Sequence, residues 1–357
     1  GLPLATRLLH PEPDANRMTQ ILEDFTSCYK RFDPREIEQR EAACMRVQLS
    51  ARVRSVQDKD LFAGRMMQSP IGFTPQSKGT GMGYCIHPEI DNILLSKKEL
   101  SKESRNKLAE LLGFWQEEGT VYKSRRKMPR EVRDALPSEL YYQEPGIAFT
   151  LYRMSGIQLN YRQLLDLGIP GLRKEVAAYR EKAGEGSQSH GFYTGLEQML
   201  DTFCELSTFY SLHCRILAEH CPDPGRRSEL ETMSGILLRI QDRKPESFRE
   251  GLQLLYLYNI FDGAKNYGRM DDSLGDLCTA DLEKGHIDDE EAIRLLSSIW
   301  KLMLSRDNRY DTRVIIGGRG RRNEDKADRL ALLILETTRR VKENVPQLAL
   351  RFHRDQD

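Results

Sequence analysis

Apolar residues recur at helical spacing along most of the chain. In the N-terminal two thirds this spacing predicts four helices, over Arg17–Lys30, Pro34–Val56, Lys98–Glu118 and Leu196–His220. Asp33 and Pro34 predict the start of the second helix, because Asp is a favourable N-cap and Pro is tolerated at the first helical position. Glycines and prolines interrupt the pattern between Leu61 and Glu89, which predicts a long irregular loop over residues 61–89.

The last third of the chain has the clearest pattern. An apolar-rich stretch predicts a helix over Phe248–Phe261, and Asp288–Glu291 has the composition of a capping box that opens another helix. The β-branched run Arg313–Gly317 predicts a buried strand, which is followed by a helix over Asn323–Glu343 and a strand over Leu348–Phe352. A strand, a helix and a strand with short connections indicate a parallel βαβ unit. The fold class is therefore α/β and rich in helix.

Charge and composition exclude several classes of protein. The 357 residues contain 54 Lys+Arg and 54 Asp+Glu, and this balance argues against binding to nucleic acid or to an anionic membrane surface. The longest apolar runs, such as Leu330–Leu335, are far shorter than the roughly 20 residues of a membrane-spanning helix. Seven cysteines without a CxxC motif indicate a reducing compartment, and the start of the chain shows no signal-peptide pattern. We expect a cytoplasmic protein.

Two glycine-rich segments have the composition of phosphate loops. The run Gly79-x-Gly81-x-Gly83 follows no clear strand and lacks the closing Lys-Ser/Thr, so a loop that wraps the core is the better interpretation. Gly317–Gly320 lies between a predicted strand and a predicted helix and could hold an anion there. A solvated turn that contains Arg319, Arg321 and Arg322 is the simpler hypothesis.

Two His-Cys pairs lie seven residues apart, at His213-Cys214 and His220-Cys221. Imidazole and thiolate groups bind zinc, and this spacing repeats on one face of a helix. The same face carries apolar residues, however, and free Cys is among the most buried residue types. Packing in the core is the favoured interpretation, and no metal site is predicted.

An ordered set of motifs resembles the glycyl radical enzymes, the family of pyruvate formate-lyase, glycerol dehydratase and choline trimethylamine-lyase. The motifs are Asp60–Gly64, Asn160–Gly168, Phe248–Gln253, Gly268–Asp272, Ala280–Gly285, Glu290–Lys301, Ile316–Gly318 and Pro346–Arg351. The resemblance implies a ten-stranded α/β barrel built from two five-stranded parallel half-sheets. Residues 1–357 would form the N-terminal portion of that domain, mainly helical over 1–240 and a half-barrel βαβ region over 241–357.

The radical chemistry is implied by the resemblance alone. In this family a glycyl radical in a C-terminal loop abstracts hydrogen from a cysteine, and the resulting thiyl radical attacks the substrate. Neither the cysteine loop nor the glycyl loop occurs in this sequence, so no catalytic residue is identified and no directly bound cofactor is expected. The radical would lie on a missing C-terminal segment and be installed by an activating enzyme that uses S-adenosylmethionine and an iron–sulfur cluster.

The resemblance also implies partners. They are a complementary C-terminal half or subunit, the activating enzyme, a small-molecule substrate and further copies in a homo-oligomer. A split subunit, a truncated chain and a degenerate relative all remain open. The expected function is radical cleavage of a C–X or C–C bond in a small organic molecule. The alternative is a non-catalytic binding or scaffold protein that has kept the half-barrel.

Substrate-binding residues follow from two aligned segments. The family places a substrate-anchoring side chain at the position of Gly156, where formate-lyase has Arg, so a carboxylate clamp for pyruvate is lost. Gly156 leaves space for a larger substrate or for Tyr152, Arg153 or Gln158 to reach in.

The second segment is the loop before Gly268-Arg269, which faces substrate in relatives. Lys265 and Asn266 stand where dehydratases have a His-Ser pair, while Asp271 keeps the family's acidic position. These positions indicate a dehydratase or lyase rather than a formate-lyase.

Overall fold

The computed structural model describes residues 15–66, 71–72, 85–86, 100–119, 123, 126–135, 158–262, 266–306 and 312–354. Its helices are α1 (Ala15–Lys30), α2 (Ile37–Arg52), α3 (Lys102–Glu118), α4 (Arg130–Ala135), α5 (Tyr161–Ala183), α6 (Gln188–Glu219), α7 (Pro224–Asp242), α8 (Phe248–Asp262), α9 (Met270–Glu283), α10 (Asp289–Leu304) and α11 (Glu324–Val341). Its strands are β1 (Ile71–Gly72), β2 (Cys85–Ile86), β3 (Asn266–Arg269), β4 (Arg313–Gly317) and β5 (Gln347–Arg351). None of the described helices is both long enough and apolar enough to cross a membrane.

The second helix is shorter than its sequence pattern indicates. It begins at Ile37 rather than Pro34, because Asp33 does not cap it: the Asp33 carboxylate accepts a hydrogen bond from the backbone N–H of Arg35 and forms an ion pair with the Arg35 guanidinium. The helix ends at Arg52, where the chain turns out and Val53 forms an antiparallel bridge with Met66. Pairing with this distant segment therefore overrides the helical pattern up to Val56.

The sequence analysis expected an irregular loop over residues 61–89, but two short strands lie within this segment. Strands β1 and β2 pair in antiparallel fashion, with Ile71 opposite Ile86 and Gly72 opposite Cys85. Strands of two residues are too short to show an alternating pattern, so a sequence rich in glycine and proline does not reveal them.

Two apolar clusters hold the helices together. The larger cluster combines α5 to α11 with the sheet, and the smaller cluster joins α1, α2 and α3 around Trp115. The indole N–H of Trp115 donates to Thr26 Oγ1 at 2.8 Å, which satisfies its polar atom inside the small cluster. Helix α5 bends at Gly168, whose φ of +65° brings the chain against the backbone of Lys244.

The main sheet has the strand order β3-β4-β5, and both pairings are parallel. Val314 and Ile316 of β4 are fully buried, and β4 packs against α9 and α11. The βαβ unit formed by β4, α11 and β5 confirms the predicted helix-rich α/β class. Strand β3 was not predicted, because its four residues, Asn-Tyr-Gly-Arg, lack an alternating pattern.

Helix α10 begins as the capping pattern predicts, though only one of the two expected bonds forms. The Asp288 carboxylate accepts from the N–H of Glu291 at 2.8 Å. The Glu291 carboxylate does not return to the cap and instead forms an ion pair with Arg294.

Candidate functional site

Two of the predicted substrate-binding residues, Gln158 and Asn266, lie side by side. They form a parallel bridge that extends the sheet beyond β3, so Gln158, β3, β4 and β5 follow one another across it. Asn266 is the first residue of β3 and does not lie in a loop, which corrects the expectation for this position. The other four predicted residues, Tyr152, Arg153, Gly156 and Lys265, lie outside the described residues.

A bulge at the start of β3 shapes this pair. Asn266 Oδ1 accepts from the backbone N–H of Gly268 at 2.9 Å, and the register of β3 against β4 shifts between Asn266 and Arg269. Gly268 has a φ of +59°, and a Cβ atom there would lie 2.3 Å from Nε2 of Gln158. Only glycine lets the Gln158 amide lie this close over the strand.

A buried polar network fixes Asn266 from below. The Tyr161 hydroxyl donates to the backbone carbonyl of Asn266 at 2.8 Å and accepts from Asn259 Nδ2 at 2.5 Å. Asn259 Oδ1 in turn accepts from Arg306 Nη1 at 3.0 Å. Tyr161 is 2 % exposed and Asn259 is fully buried, so these bonds form in a low-dielectric interior that holds the backbone of Asn266 firmly in place.

Two stacked tyrosines border the same network. The rings of Tyr256 and Tyr267 lie nearly parallel with centroids 6.4 Å apart, and both side chains are fully buried. Burial raises the pKa of both phenols above their usual range, while Arg306 opposes the shift. Both hydroxyls therefore stay protonated at neutral pH, and the network contributes no phenolate charge beneath Asn266.

Asn266 is in register with Arg313 of β4, and Arg313 is in register with Gln347 of β5. Together with Gln158 these residues form a row of four polar side chains across the sheet, which we call the polar row. Side chains in register point to the same face, and Val314 next to this row packs on the opposite, helix-covered side. Gln158, Arg313 and Gln347 are exposed and Asn266 is half-buried, so this face of the sheet is open in the described chain.

The opposite, carboxyl end of the strands is closed by ion pairs. Asp271 is fully buried; its Oδ2 accepts from the N–H of Gly317 at 2.7 Å and from Arg321 Nη1 at 3.1 Å. Arg321 was expected in a solvated turn, but its side chain is 1 % exposed and also contacts Asp328. Burial raises the pKa of Asp271, and the bonds from Gly317 and Arg321 act against that shift.

Backbone N–H groups at the end of β4 and in the turn that follows donate hydrogen bonds to carboxylates of the chain itself. The N–H of Gly317 points to Asp271, that of Gly320 to Glu324 and that of Arg322 to Asp272. Carboxylates of the chain itself thus occupy the positions that an anion would take in a phosphate loop. Gly317–Gly320 thus forms a turn, as expected, but the turn is not fully solvated, because Gly317 and Gly318 are buried.

The two His-Cys pairs do not converge on a common point. Nε2 of His213 and Oγ of Ser55 share a hydrogen bond of 2.9 Å. Nδ1 of His220 is instead hydrogen-bonded to the backbone carbonyl of Ile216. Cys214 is fully buried in the larger apolar cluster. Over the residues that the structure describes, no group of three or more His, Cys, Asp or Glu side chains has the arrangement of a metal site.

Sequence reasoning missed the residues that support the site. Tyr161 was recognised only as part of a motif, and Asn259 and Arg306 carried no signal. They lie 98 and 145 positions beyond Tyr161, Asn259 in α8 and Arg306 in the turn that follows α10, where the sequence pattern predicts no polar contact. A buried Asn in the apolar stretch Phe248–Phe261 is the one feature that could have pointed to a buried polar contact.

Comparisons with known proteins agree on one family. A family described as "PFL-like: Pyruvate formate lyase-like" matches residues 8–357. The chain is 23 % identical to a probable dehydratase, YbiW, of Escherichia coli over 94 % of this chain and 44 % of that protein. It is 25 % identical to (2S)-3-sulfopropanediol dehydratase of Klebsiella oxytoca over 70 % of this chain and 33 % of that protein.

Solved structures show the same fold. The B12-independent glycerol dehydratase from Clostridium butyricum, in its glycerol-bound form, superposes with a TM-score of 0.74 and 19 % identity over 99 % of this chain and 47 % of that one. A glycyl radical enzyme from Archaeoglobus fulgidus gives a TM-score of 0.71 at 19 % identity over 98 % and 47 %. The chain thus spans less than half the length of these relatives.

Proposed function

This chain belongs to the pyruvate formate-lyase-like family of glycyl radical enzymes, and we propose that it supplies the N-terminal portion of a radical lyase or dehydratase. The proposed reaction cleaves a C–X or C–C bond in a small organic molecule. The observation that carries this proposal is the family match over residues 8–357, combined with coverage of less than half of each relative.

The polar row is the part of this chain that we assign to substrate binding. Gln158 and Asn266 each present an amide, which both donates and accepts hydrogen bonds and therefore suits a hydroxylated substrate. The network of Tyr161, Asn259 and Arg306 holds the backbone of Asn266, and Gln158 is bridged to Asn266, which supports preorganised amides. On the family resemblance we propose Tyr152, Arg153, Gly156 and Lys265 as further substrate-binding positions.

The position of Gly156 argues against pyruvate as the substrate. A glycine offers no guanidinium for a bidentate bond to a carboxylate, which is the contact that an Arg would supply. Among the similar relatives are dehydratases, one of them for a sulfonated diol, together with an isethionate sulfite-lyase and a 4-hydroxyphenylacetate decarboxylase subunit. We therefore favour a polyol or a related hydroxylated compound that loses a substituent over cleavage of a 2-oxo acid.

A complementary segment is part of the proposal because β5 is open on one side. Within the described residues β5 pairs only with β4, and next to its free edge Leu350 is 41 % exposed and Phe352 is 76 % exposed. An exposed edge with apolar side chains is a template for a further strand. The complementary segment would add that strand and enclose the polar row, which keeps water and oxygen from a substrate radical.

The same segment would carry the glycyl radical and the cysteine that passes it to substrate. An S-adenosylmethionine-dependent activating enzyme with an iron–sulfur cluster would install the radical, and a cytoplasmic homo-oligomer is the expected assembly. This chain by itself would then be inactive. A non-catalytic scaffold would instead bind its complement without supporting any turnover.

Turnover of the assembled protein tests the proposal. The chain is coexpressed without oxygen with the segment that complements it and with an activating enzyme, and release of an aldehyde from diols and of formate from pyruvate is measured. We expect aldehyde and no formate. Gln158→Ala should raise the KM for the diol, whereas Gln188→Ala, at the exposed start of α6, should leave it unchanged. A stable assembly that releases neither product would support the scaffold alternative.

A further inference from the structure

A cavity of about 640 Å³ opens between α10, α11 and the loop over residues 57–61. Residues of α10 supply most of its lining, with Lys59 and Leu61 from the loop and Arg340 from α11. Its volume lies in the range of sites that hold a small organic molecule. The polar row contributes no residue to this lining, and the proposed function does not use the cavity.

The loop that carries Lys59 is closed by hydrogen bonds. The N–H of Gln57 donates to Asp60 Oδ2 at 2.9 Å, and the N–H of Asp60 donates to the carbonyl of Gln57 at 3.0 Å. Arg226 of α7 donates to the carbonyls of Asp60 and Gln57, at 2.6 and 2.8 Å. The backbone around Lys59 is therefore fixed before a ligand arrives, which lowers the entropy that binding would cost.

A further hydrogen bond joins this loop to α10. The N–H of Leu61 donates to Oγ of Ser298 at 3.1 Å, and the carbonyl of Leu61 accepts from Arg249 Nη2 at 2.9 Å. Ser298 lines the cavity and is 6 % exposed, and its hydroxyl proton has no acceptor among the described residues. A buried donor without an acceptor costs free energy, which an oxygen of a ligand in the cavity would recover.

The carboxylates that line the cavity are engaged within the protein. Glu290 accepts from Arg340 at 2.6 and 2.8 Å, and Glu291 accepts from Arg294 at 2.6 and 2.8 Å. The Asp288 carboxylate accepts from the N–H of Glu291 as the cap of α10. The two glutamates thus neutralise the two arginines, and the lysines of the lining decide which charge the cavity offers to a ligand.

Two lysines of the lining have no carboxylate partner. Lys59 and Lys301 are both exposed, and neither forms an ion pair with a residue that the structure describes. Lys301 lies three positions after Ser298 on α10, so the two side chains share one face of the helix. Ser297 adds a second hydroxyl to the lining. Two ammonium groups and two hydroxyls suit a ligand that is anionic and rich in acceptor oxygens.

We propose that this cavity binds a small organic phosphate, a phosphate monoester. Such a group carries roughly two negative charges at pH 7 and three strong acceptor oxygens. Lys59 and Lys301 would neutralise these charges, and Ser297 and Ser298 would donate to the oxygens. Lysine suits this role because its ammonium binds phosphate as a point charge.

The organic part of the ligand would lie against the apolar part of the lining. Leu61 and Ile293 supply this part, and both retain a small exposed area in the cavity. Covering that area should add to the affinity, since burial of apolar surface is favourable. A phosphate monoester should therefore bind more tightly than phosphate alone.

Calorimetric titration of the full chain at low salt tests the site. The probe is phenyl phosphate, with phenol as the uncharged control and inorganic phosphate as the control without an organic part. We expect phenyl phosphate to bind with a Kd of about 1 mM or below. Inorganic phosphate should bind roughly threefold or more weakly, and phenol should give no measurable binding. Added salt should weaken the binding of phenyl phosphate, because the contacts are between charges.

Variants of the lining assign the binding to this cavity. Lys59→Gln and Lys301→Gln should each raise the Kd for phenyl phosphate roughly tenfold, because each removes a hydrogen bond between charged groups. Lys174→Gln is the matched control, since Lys174 is an exposed lysine of α5 that does not line the cavity. Circular-dichroism melts check that the variants are folded.

Three results would overturn the proposal. In the first, the unsubstituted chain shows no binding of phenyl phosphate up to about 10 mM. In the second, Lys59→Gln and Lys301→Gln bind it as tightly as Lys174→Gln. In the third, phenol or inorganic phosphate binds as tightly as phenyl phosphate, so that either the charge or the organic part contributes nothing.

Discussion

The carboxylate of Asp271 accepts a hydrogen bond from the backbone N–H of Gly317 at 2.7 Å, although 46 positions separate them. The same oxygen pairs with Arg321, so one buried side chain ties the start of α9 to the turn that leaves β4. That turn closes the carboxyl end of the sheet, while the polar row lies at the opposite end. We therefore expect this charge to contribute to the stability of the three-stranded sheet.

Removing the charge of Asp271 should lower the free energy of unfolding. Asp271→Asn leaves Arg321 with Asp328 alone, and breaking a buried pair from one side typically costs about 3 kcal/mol or more. Asp276→Asn is the matched control, because its carboxylate is 43 % exposed and its pair with Lys326 is worth under about 1 kcal/mol. Urea unfolding followed by circular dichroism measures both variants. Equal stability of the two would contradict the assigned role.

Two glycine-to-alanine substitutions should change the free energy of unfolding in opposite directions. At Gly168 the φ is +65° and a Cβ would lie 2.7 Å from Cα of Lys244, so Gly168→Ala should lower the free energy of unfolding by about 2 kcal/mol or more. At Gly113, inside α3, a Cβ would meet no atom within 4 Å. Gly113→Ala should therefore stabilise the chain by about 0.5–1 kcal/mol, since alanine is the better helix former. Thermal melts of the two variants measure these effects. Shifts of the melting temperature in the same direction would refute this account.

The network beneath Asn266 makes a separate prediction. Tyr161→Phe removes the hydroxyl and leaves Asn259 Nδ2 without that acceptor, which costs about 1–3 kcal/mol in a buried site. Tyr179→Phe is the control, because Tyr179 is 54 % exposed on α5. Guanidinium unfolding compares the two. A Tyr161→Phe chain as stable as the control would show that the hydroxyl does not anchor the site.

His213 should make the protein sensitive to acid. Burial lowers its pKa to about 4 from an ordinary value near 6.5, so the unfolded chain binds a proton that the folded chain refuses between these two values. Stability is full above about pH 6.5 and falls as the pH drops toward 4, by up to about 3 kcal/mol. In His213→Gln this part of the pH dependence should flatten, whereas exposed His220→Gln should keep it. Denaturation midpoints at half-unit pH steps provide the readout.

Sequence patterns predicted the parts of the fold that depend on local periodicity. The β-branched run up to Gly317 predicts β4, and the apolar spacing before Val341 predicts α11, so the parallel βαβ unit follows. Strand β3 could not be predicted, because its pairing depends on Arg313 and Ile315 more than forty positions away. Arg321 was predicted to be exposed for the same reason, since its partner Asp271 is remote in sequence.

In the candidate site, too, contacts between residues distant in sequence could not be predicted. Gln158 and Asn266 were selected through the family resemblance, and the structure places them next to each other. Their contribution to substrate binding stays a prediction. The supporting bonds of Asn259 and Arg306 are tertiary contacts that join α8 to α5 and to the turn after α10, and no spacing rule in one sequence predicts them.

Electron paramagnetic resonance on the assembled protein tests the central claim most directly. The chain, its complementary segment and the activating enzyme are combined with S-adenosylmethionine without oxygen, and the spectrum is recorded at low temperature. Our account predicts a glycyl radical doublet that appears only when this chain is present and that disappears on exposure to air. A doublet of the same intensity without this chain, or no radical in a stable complex of all components, would contradict it.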